Sequence, residues 1–432
     1  MTSEAPTLTL PIRRSHPRSR TDVLAGQRLV LVTTSIAVAA LPLLAPHGPA
    51  NTAPEDALMC LAIAVAALWA ARTGHRLRFA FGIPMALFMA GGVLGALVGP
   101  VPGTGAVAIV QDMAILAWAW AFMNVASAPE RLRTLLATWA YSSIAWATLL
   151  FVGLGTGITF LSGQTPREGS RTALTFGDPN VSANYYVISM MILWATGRPR
   201  SRAWRIAAYG LFVAAVLSTG SNSGVVSLIV ATSLATILAI RRRAGSVPAV
   251  TACACLAAAG LILASTVSFK SIQQKAYASH YAFIRDGLGR GEVSASQRGS
   301  LLHESLGLLK SGSLLGEGPV STKPRLTAEM APFVKEAHND YFAALTERGV
   351  LGALGLILLM SGLVTRGFAV ARTGLSSAFA AVVPRPYAIV AALAGTMVSE
   401  TVYELLHVRH VWTLFALVAT LFLWGRKSCT IA

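Results

Sequence analysis

The segment from Glu336 to Gly352 carries the residues most suited to chemistry, because polar side chains there lead directly into an apolar run. His338 and Tyr341 are three residues apart and share a helix face if the helix begins early. A histidine with an ordinary pKa of about 6.5 can take a proton from a hydroxyl group at neutral pH. A polar histidine that caps a helix at a membrane interface has the same pattern, so spacing leaves both interpretations open.

Glu347 and Arg348 lie deeper in the same apolar run, where a charge costs at least a few kcal/mol unless it is paired or hydrated. They are either functional or an ion pair that faces the interior of a helix bundle. Gly349, Gly352 and Gly355 form a strip of small residues, which predicts close packing against another helix.

The whole chain is too apolar for a water-soluble enzyme. Of its 432 residues 54% are hydrophobic and 12% are charged, whereas soluble proteins carry roughly 25% charged residues. Runs of about 20 apolar residues, enough to cross a bilayer, recur along the chain. We predict an all-α, polytopic membrane protein with about twelve spans, placed at 28–46, 56–71, 79–99, 105–126, 134–156, 180–197, 203–219, 223–240, 247–268, 342–365, 386–403 and 410–424.

The connecting loops alternate in charge. Basic residues fall in every second loop, at 13–28, 72–78, 131–133, 198–205, 241–243, 366–385 and 426–427. By the positive-inside rule these loops and both termini are cytoplasmic. The net charge of +17 is then a topology signal, and we expect no nucleic-acid partner. Cleavage of the first span as a signal peptide is the competing interpretation of the N-terminus.

This pattern divides the chain into four parts. They are a basic cytoplasmic tail (1–27), nine spans with an outer loop near 157–179 (28–268), a large extracytoplasmic loop (269–341), and three spans with a cytoplasmic tail (342–432). The large loop is far longer than a usual connection. Leucines at 301–309 around Glu304 and Ser305 predict amphipathic, partly helical structure that lies on the outer face.

The cysteines and acidic residues give no sign of a metal or cofactor. Cys60, Cys253 and Cys255 lie inside apolar runs, where we expect small buried apolar side chains. No Cys/His cluster has the spacing of zinc ligands, and no nucleotide-binding glycine motif is present.

Four stretches, in order, resemble the O-antigen ligase/polymerase family of bacterial membrane glycosyltransferases. The moderately specific one is His338-Asn-x-Tyr-x-x-x-Leu-x-Glu-x-Gly-x-x-Gly352 at the end of the long loop. The others are the segment Arg171 to Asn184, then Arg298 followed by Gly316-Glu-Gly-Pro319, and Arg409-His-Val-Trp412. The resemblance covers roughly residues 165–425.

The resemblance implies a glycosyltransferase-C-like fold. It also implies transfer of a glycan from a polyprenyl-diphosphate carrier to an acceptor hydroxyl at the outer face of a bacterial cytoplasmic membrane, without a nucleotide sugar. His338 would be the base for that hydroxyl or would position it. A leaving diphosphate needs cations, and arginine binds phosphate oxygens in a two-pronged manner, in place of a metal. Arg171 and Arg298 stand in motif context, and the expected substrate-binding set is Arg171, Arg298, Arg290, Asn180, Asn184, Asn339 and Tyr341. Solvated loop arginines, and a helix cap at Asp178-Pro-Asn180, are the plainer alternatives.

One position departs from the family pattern. The family usually shows Thr-x-Ser-Arg-Gly after the seventh span, and this chain has Asn222 at the place of the arginine. Another cation must then substitute, or the donor differs.

A transporter or flippase of lipid-linked oligosaccharide, with no chemistry, is the alternative function. Transporters place polar groups near the bilayer midplane and often contain matching broken helices. Here Asp112 is the clearest charge within a span, whereas polar residues concentrate on the outer face. The pattern therefore favours an enzyme that acts on a lipid-linked donor and a glycan or glycolipid acceptor at the bilayer surface.

Overall fold

The computed structural model describes residues 20–45, 48, 52–166, 168–287, 289, 299, 303, 314–328, 330 and 339–426. Within this part of the chain twelve helices of at least 12 residues form a bundle, one at each place where the sequence predicts a span. They are α1 (Arg20–Ala39), α2 (Pro54–Thr73), α3 (Gly82–Val98), α4 (Pro102–Val125), α5 (Pro129–Thr156), α6 (Pro179–Thr196), α7 (Arg202–Ser218), α8 (Asn222–Ala244), α9 (Ser246–Thr266), α10 (Asp340–Thr373), α11 (Tyr387–Glu400) and α12 (Arg409–Thr420).

Six of these helices are long and apolar enough to cross a membrane, namely α2, α4, α5, α8, α9 and α10. Shorter apolar helices lie in α1, α3, α11 and α12, the last continued by a π-helical turn. The described residues contain helices and no β-strand beyond one isolated bridge. Helices suit a bilayer because they satisfy their own backbone hydrogen bonds. The chain is an all-α, polytopic membrane protein.

The centre of the bundle consists of α6 and α12. Almost every side chain of α6 and all of α12 are buried. Around them, α12 packs on α4, α11 packs on α8 and α6, and α10 packs along α3. Proline at the first helical turn starts α2, α4, α5 and α6, where its missing N–H has no helical partner to lose.

The outermost helix is α9, which packs on α8 and buries only Ala249 among its side chains. Cys253 and Cys255 are therefore exposed on its surface, and Cys60 is exposed on α2. The expectation that these cysteines are buried is wrong. A side chain in an apolar run faces either the bundle or the lipid, and hydropathy does not distinguish the two.

Arginines from different predicted cytoplasmic loops meet at one end of the bundle. Arg78 contacts the end of α12 through Leu423 O and the Trp424 ring. Arg366 donates to Ala80 O, and Arg385 donates to Trp194 O. The alternation of charge along the sequence thus corresponds to the two ends of the bundle.

The opposite end carries the two long loops. Short helices lie at Thr159–Ser162, Phe269–Tyr277, Ala282–Gly287 and Thr322–Ala328. The loop is partly helical where it is described. The predicted amphipathic stretch of leucines at 301–309 lies outside the described residues.

Candidate functional site

A cavity of about 540 Å³ opens at the end of the bundle that carries the long loops. Its walls come from the first turns of α2, α10 and α12, from the middle of α4, and from the connection between α11 and α12. Its ionisable lining residues are Asp56, Asp112, Asp340, Glu347, Glu404, Arg348, Arg409 and His407. Ionisable side chains that are scattered in the sequence therefore share one cavity.

A break in α10 positions two of these charges. Gly349 has φ 64° and ψ −165°, a backbone conformation far from helical that only glycine adopts readily. At this break the loop before α10 supplies the missing partners. Glu317 N donates to Thr346 O at 3.0 Å, Gly318 N donates to Glu347 O at 2.8 Å, and Val350 N donates to Leu314 O at 2.9 Å.

Glycines make the close approach at this break possible. A Cβ on Gly95 of α3 would lie 2.6 Å from Glu347 O, and one on Gly318 would lie 3.0 Å from Ala96 Cα. A Cβ on Gly91 would lie 2.6 Å from Gly352 N. The predicted glycine strip of α10 therefore packs directly on α3, and Gly316-Glu-Gly318 is the loop segment wedged between them.

Glu347 fastens the same loop. Its carboxylate accepts hydrogen bonds from Val320 N at 2.8 Å, Thr322 N at 3.3 Å and Thr322 Oγ1 at 2.6 Å. Its neighbour Arg348 turns to α4 instead, where Nη2 donates to Asp112 Oδ2 at 2.6 Å. The charges of Glu347 and Arg348 do face the bundle, but their partners are loop groups and Asp112 rather than each other.

The Arg348 guanidinium is enclosed. It stacks over the Phe88 ring at 4.0 Å from the centroid. Nη1 is buried and makes no hydrogen bond within the described part of the chain. It lies so close to α3 that a Cβ on Gly92 would approach it to 2.7 Å. The residue is 8% exposed.

A second arginine joins the last helix to the second. Arg409 donates from Nε and Nη2 to Asp56 at 2.7 to 3.0 Å, a two-pronged ion pair at the first turns of α12 and α2. Such pairs fix geometry as well as charge.

The connection from α11 to α12 (401–408) lies between the large cavity and a second cavity of about 220 Å³. Asp340 accepts from Leu405 N at 2.6 Å and from Leu406 N at 3.2 Å. The hydroxyl of Tyr403 donates to Asp178 Oδ2 at 2.6 Å. Tyr403, His407 and Arg409 line both cavities, so this connection divides the two spaces.

Two predicted site residues hold the start of α10 in place. Asn339 caps the helix by accepting from Tyr341 N at 2.9 Å and Phe342 N at 3.1 Å, and its Nδ2 donates to Thr401 O at 2.7 Å. Tyr341 is half-buried, and its hydroxyl lies 3.4 Å from Glu400 Oε2. Both residues therefore connect α10 to the end of α11.

Two other predicted site residues, Arg171 and Asn180, lie together at the start of α6 and α8. Arg171 pairs with Glu168 at 2.6 Å and donates from Nε to Thr219 O at 2.8 Å. Asn180 Oδ1 accepts from Ser221 Oγ at 2.7 Å. Asp178 caps α6, as the helix-cap interpretation expects, and accepts from Asn180 N at 2.7 Å.

Asn184 lies away from both groups. It is fully buried and contacts His410 Nε2 at 3.1 Å and Thr396 Oγ1 at 3.4 Å. Its contacts favour a packing role for this predicted substrate-binding residue. His338, Arg290 and Arg298 lie outside the described residues, and His338 immediately precedes Asn339.

Sequence reasoning did not place Asp56, Asp112, Asp340 and Arg409 at the site. Asp112 carried the clearest signal, since a carboxylate in the middle of a span needs a partner. Arg409 lies in one of the motifs, but its partner Asp56 is 353 residues away, and no sequence pattern joins the two.

Comparison with known families supplies an independent assignment. Residues 206–357 match the family model described as O-Antigen ligase. The match runs from α7 into α10 and includes the long loop, His338, Glu347 and Arg348. Comparison with curated proteins gives no match. The chain is an integral membrane protein, and the match over residues 206–357 supports its assignment to the O-antigen ligase/polymerase family.

Proposed function

We propose that this protein transfers a glycan from a polyprenyl-diphosphate carrier to an acceptor hydroxyl at the outer face of the cytoplasmic membrane. The supporting observation is the large cavity where α10 begins. Asp340, which follows His338 by two positions in the sequence, lies in its wall, and a space of about 540 Å³ can admit sugar rings. His338 takes the proton of the acceptor hydroxyl as that oxygen attacks the anomeric carbon and the bond to the diphosphate breaks.

The leaving diphosphate needs cations near the cavity. Arg171 is the candidate cation within the described part of the chain. Arg290 and Arg298 are the candidates in the sequence of the long loop. Arg171 donates to Thr219 O and packs beside Gly220, in the turn that leads to Asn222. It therefore lies beside the position at which the family pattern has an arginine, and its ion pair with Glu168 must open before it can bind the diphosphate. The arginines take the part that a metal plays in other transferases.

The orientation of the bundle follows from the same proposal. The arginine-rich end faces the cytoplasm, both termini are cytoplasmic, and the end with the cavities faces outward. Asn339 and Tyr341 hold α10 against α11, while Asn180 holds the turn before α8. Both groups then position the site from its two sides.

Reconstitution with a purified lipid-linked glycan tests the proposal. The protein in lipid nanodiscs should release polyprenyl diphosphate and form a new glycosidic product when acceptor is present. A ladder of products indicates a polymerase, whereas a single transfer indicates a ligase. Movement of the lipid-linked glycan across vesicles without any glycosidic product would contradict the proposal and favour a flippase.

A further inference from the structure

The two arginines of the large cavity are already paired. Arg348 lies 2.6 Å from Asp112, and Arg409 holds Asp56 by two of its nitrogens. Both side chains are nine-tenths buried, with 10% and 11% of their surface exposed. A phosphate group that used either arginine would have to displace a carboxylate from a short, enclosed contact.

Geometry blocks the remaining sides of Arg348. Phe88 covers one face of the guanidinium at 4.0 Å, and Nη1 is buried against Gly92. While Asp112 holds Nη2, the two-pronged edge that recognises phosphate is therefore not available to a ligand in the cavity.

The charge balance of the cavity opposes an anion as well. Its described lining contains five carboxyl groups and two guanidinium groups. Both guanidinium groups are already paired with carboxylates, so no unpaired guanidinium of the described lining can balance a diphosphate, which would be disfavoured here. Carboxyl groups suit hydroxyl ligands, because an ionised carboxyl accepts hydrogen bonds and a protonated one also donates.

The rest of the lining suits a sugar. Thr52, Gln111 and Tyr403 offer hydroxyl and amide groups, while Met59 and Phe88 offer apolar surface. A sugar ring presents hydroxyl groups at its edge and C–H groups on its faces, and a pocket of apolar walls with a few polar groups matches both.

We infer that the large cavity binds an uncharged, hydroxyl-rich sugar segment and excludes the carrier diphosphate, which binds outside it. This inference rests on the proposed function for its donor and acceptor. The sugar could come from the donor repeat or from the acceptor, and the experiment distinguishes these two sources.

Cys60 provides a reporter, since it is exposed and lies in the cavity wall. The remaining cysteines, Cys253, Cys255 and Cys429, are replaced by serine. The full chain in nanodiscs is then labelled with a small methanethiosulfonate reagent. Labelling of Cys60 is timed with inorganic pyrophosphate, with the donor repeat released from its carrier, or with acceptor-derived oligosaccharide.

One of the two sugars should slow Cys60 labelling, by about tenfold at a concentration about ten times its Kd, and the protecting sugar identifies the source. Pyrophosphate should leave the rate unchanged. Protection by pyrophosphate, or protection by neither sugar, overturns the inference. Because labelling needs no turnover, it is independent of the transfer assay that tests the proposed function.

The Asp112→Asn variant tests whether the carboxylate of Asp112 is the reason that the cavity excludes diphosphate. It leaves Arg348 positive without its carboxylate, so pyrophosphate should now slow the labelling of Cys60. Glu130→Gln is the matched control, because Glu130 is exposed on the first turn of α5 and absent from the cavity lining. It should behave as the parent. If Asp112→Asn gains no protection, charge is not what excludes phosphate, and the inference fails.

Discussion

Arg348 and Asp112 are 236 residues apart in the chain, yet their side chains meet at 2.6 Å in the wall of the large cavity. This contact joins the broken helix α10 to the middle of α4. Together with Arg409 and Asp56, it holds the cavity walls at fixed distances and neutralises both cavity arginines.

Breaking this pair on one side should destabilise the protein strongly. Arg348→Met leaves Asp112 buried without a partner, which we expect to cost about 3–5 kcal/mol. The double variant Arg348→Met with Asp112→Leu removes both charges and should recover most of that loss. Unfolding in mild detergent measures both. A double variant no more stable than the single one would show that the pair does not act as a unit.

Gly349→Ala should damage both stability and transfer. Alanine at φ 64° is strained by about 1–3 kcal/mol, and its Cβ would collide with backbone atoms of Leu314, Leu315 and Gly316. Gly362→Ala is the matched control, since the atom nearest to a Cβ there would be the flexible tip of Arg366 at 3.8 Å. It should be neutral or stabilising by up to about 1 kcal/mol. Equal unfolding temperatures for the two variants would contradict the role of the break.

Asp286 should hold the two outer loops together at neutral pH. Its carboxylate accepts from Ser170 N at 3.0 Å and from Ser170 Oγ at 2.8 Å. The backbone hydrogen bond from Ser170 lowers the pKa of Asp286 below its ordinary value. The stabilisation is therefore present above the ordinary aspartate range and is lost as pH falls through this lowered pKa.

Hydrogen exchange of the peptide around Ser170 tests this contact. Asp286→Asn should reduce protection at pH 7 by about fivefold, equivalent to about 1 kcal/mol. The difference between the parent and this variant should shrink under acid conditions. A difference that grows as the pH falls would have the wrong sign for a lowered pKa.

Tyr403→Phe should loosen the connection between the two cavities. The hydroxyl loses its 2.6 Å hydrogen bond to Asp178, while Asp178 keeps its cap on α6. We expect an increase in KM for a sugar substrate of about fivefold, the effect of about 1 kcal/mol. Tyr281→Phe is the control, because Tyr281 is 74% exposed. The same KM in both variants would remove Tyr403 from the site.

The helices were predictable from sequence, whereas the partners at the site were not. Apolar runs and alternating arginine loops locate the spans because the bilayer imposes length and charge on each segment separately. Asp112 could be recognised as needing a partner. Identifying Arg348 as that partner requires knowledge of which helices pack together. The exposed Cys253 shows the same limit of sequence-based prediction. An apolar run does not reveal whether a given side chain faces the lipid or the core of the bundle.

The motif around His338 gave partial information about its own surroundings. It identified Asn339 and Tyr341, which the structure places at the join of α10 and α11. It did not reveal that Asp340 between them holds the α11–α12 connection through Leu405 and Leu406. Those contacts depend on the backbone path of a distant segment.

The most direct test of the proposed function is to measure glycan transfer by the His338→Ala variant. Purified variant in nanodiscs receives lipid-linked donor and acceptor, and both polyprenyl diphosphate and glycosidic product are quantified. His280→Ala, a substitution of an exposed histidine in the same loop, is the control. We predict that His338→Ala inserts and folds normally but loses transfer by about 10²–10⁴-fold, the usual contribution of a general base, while His280→Ala retains it. Transfer at the parent rate by His338→Ala would contradict a base at the start of α10.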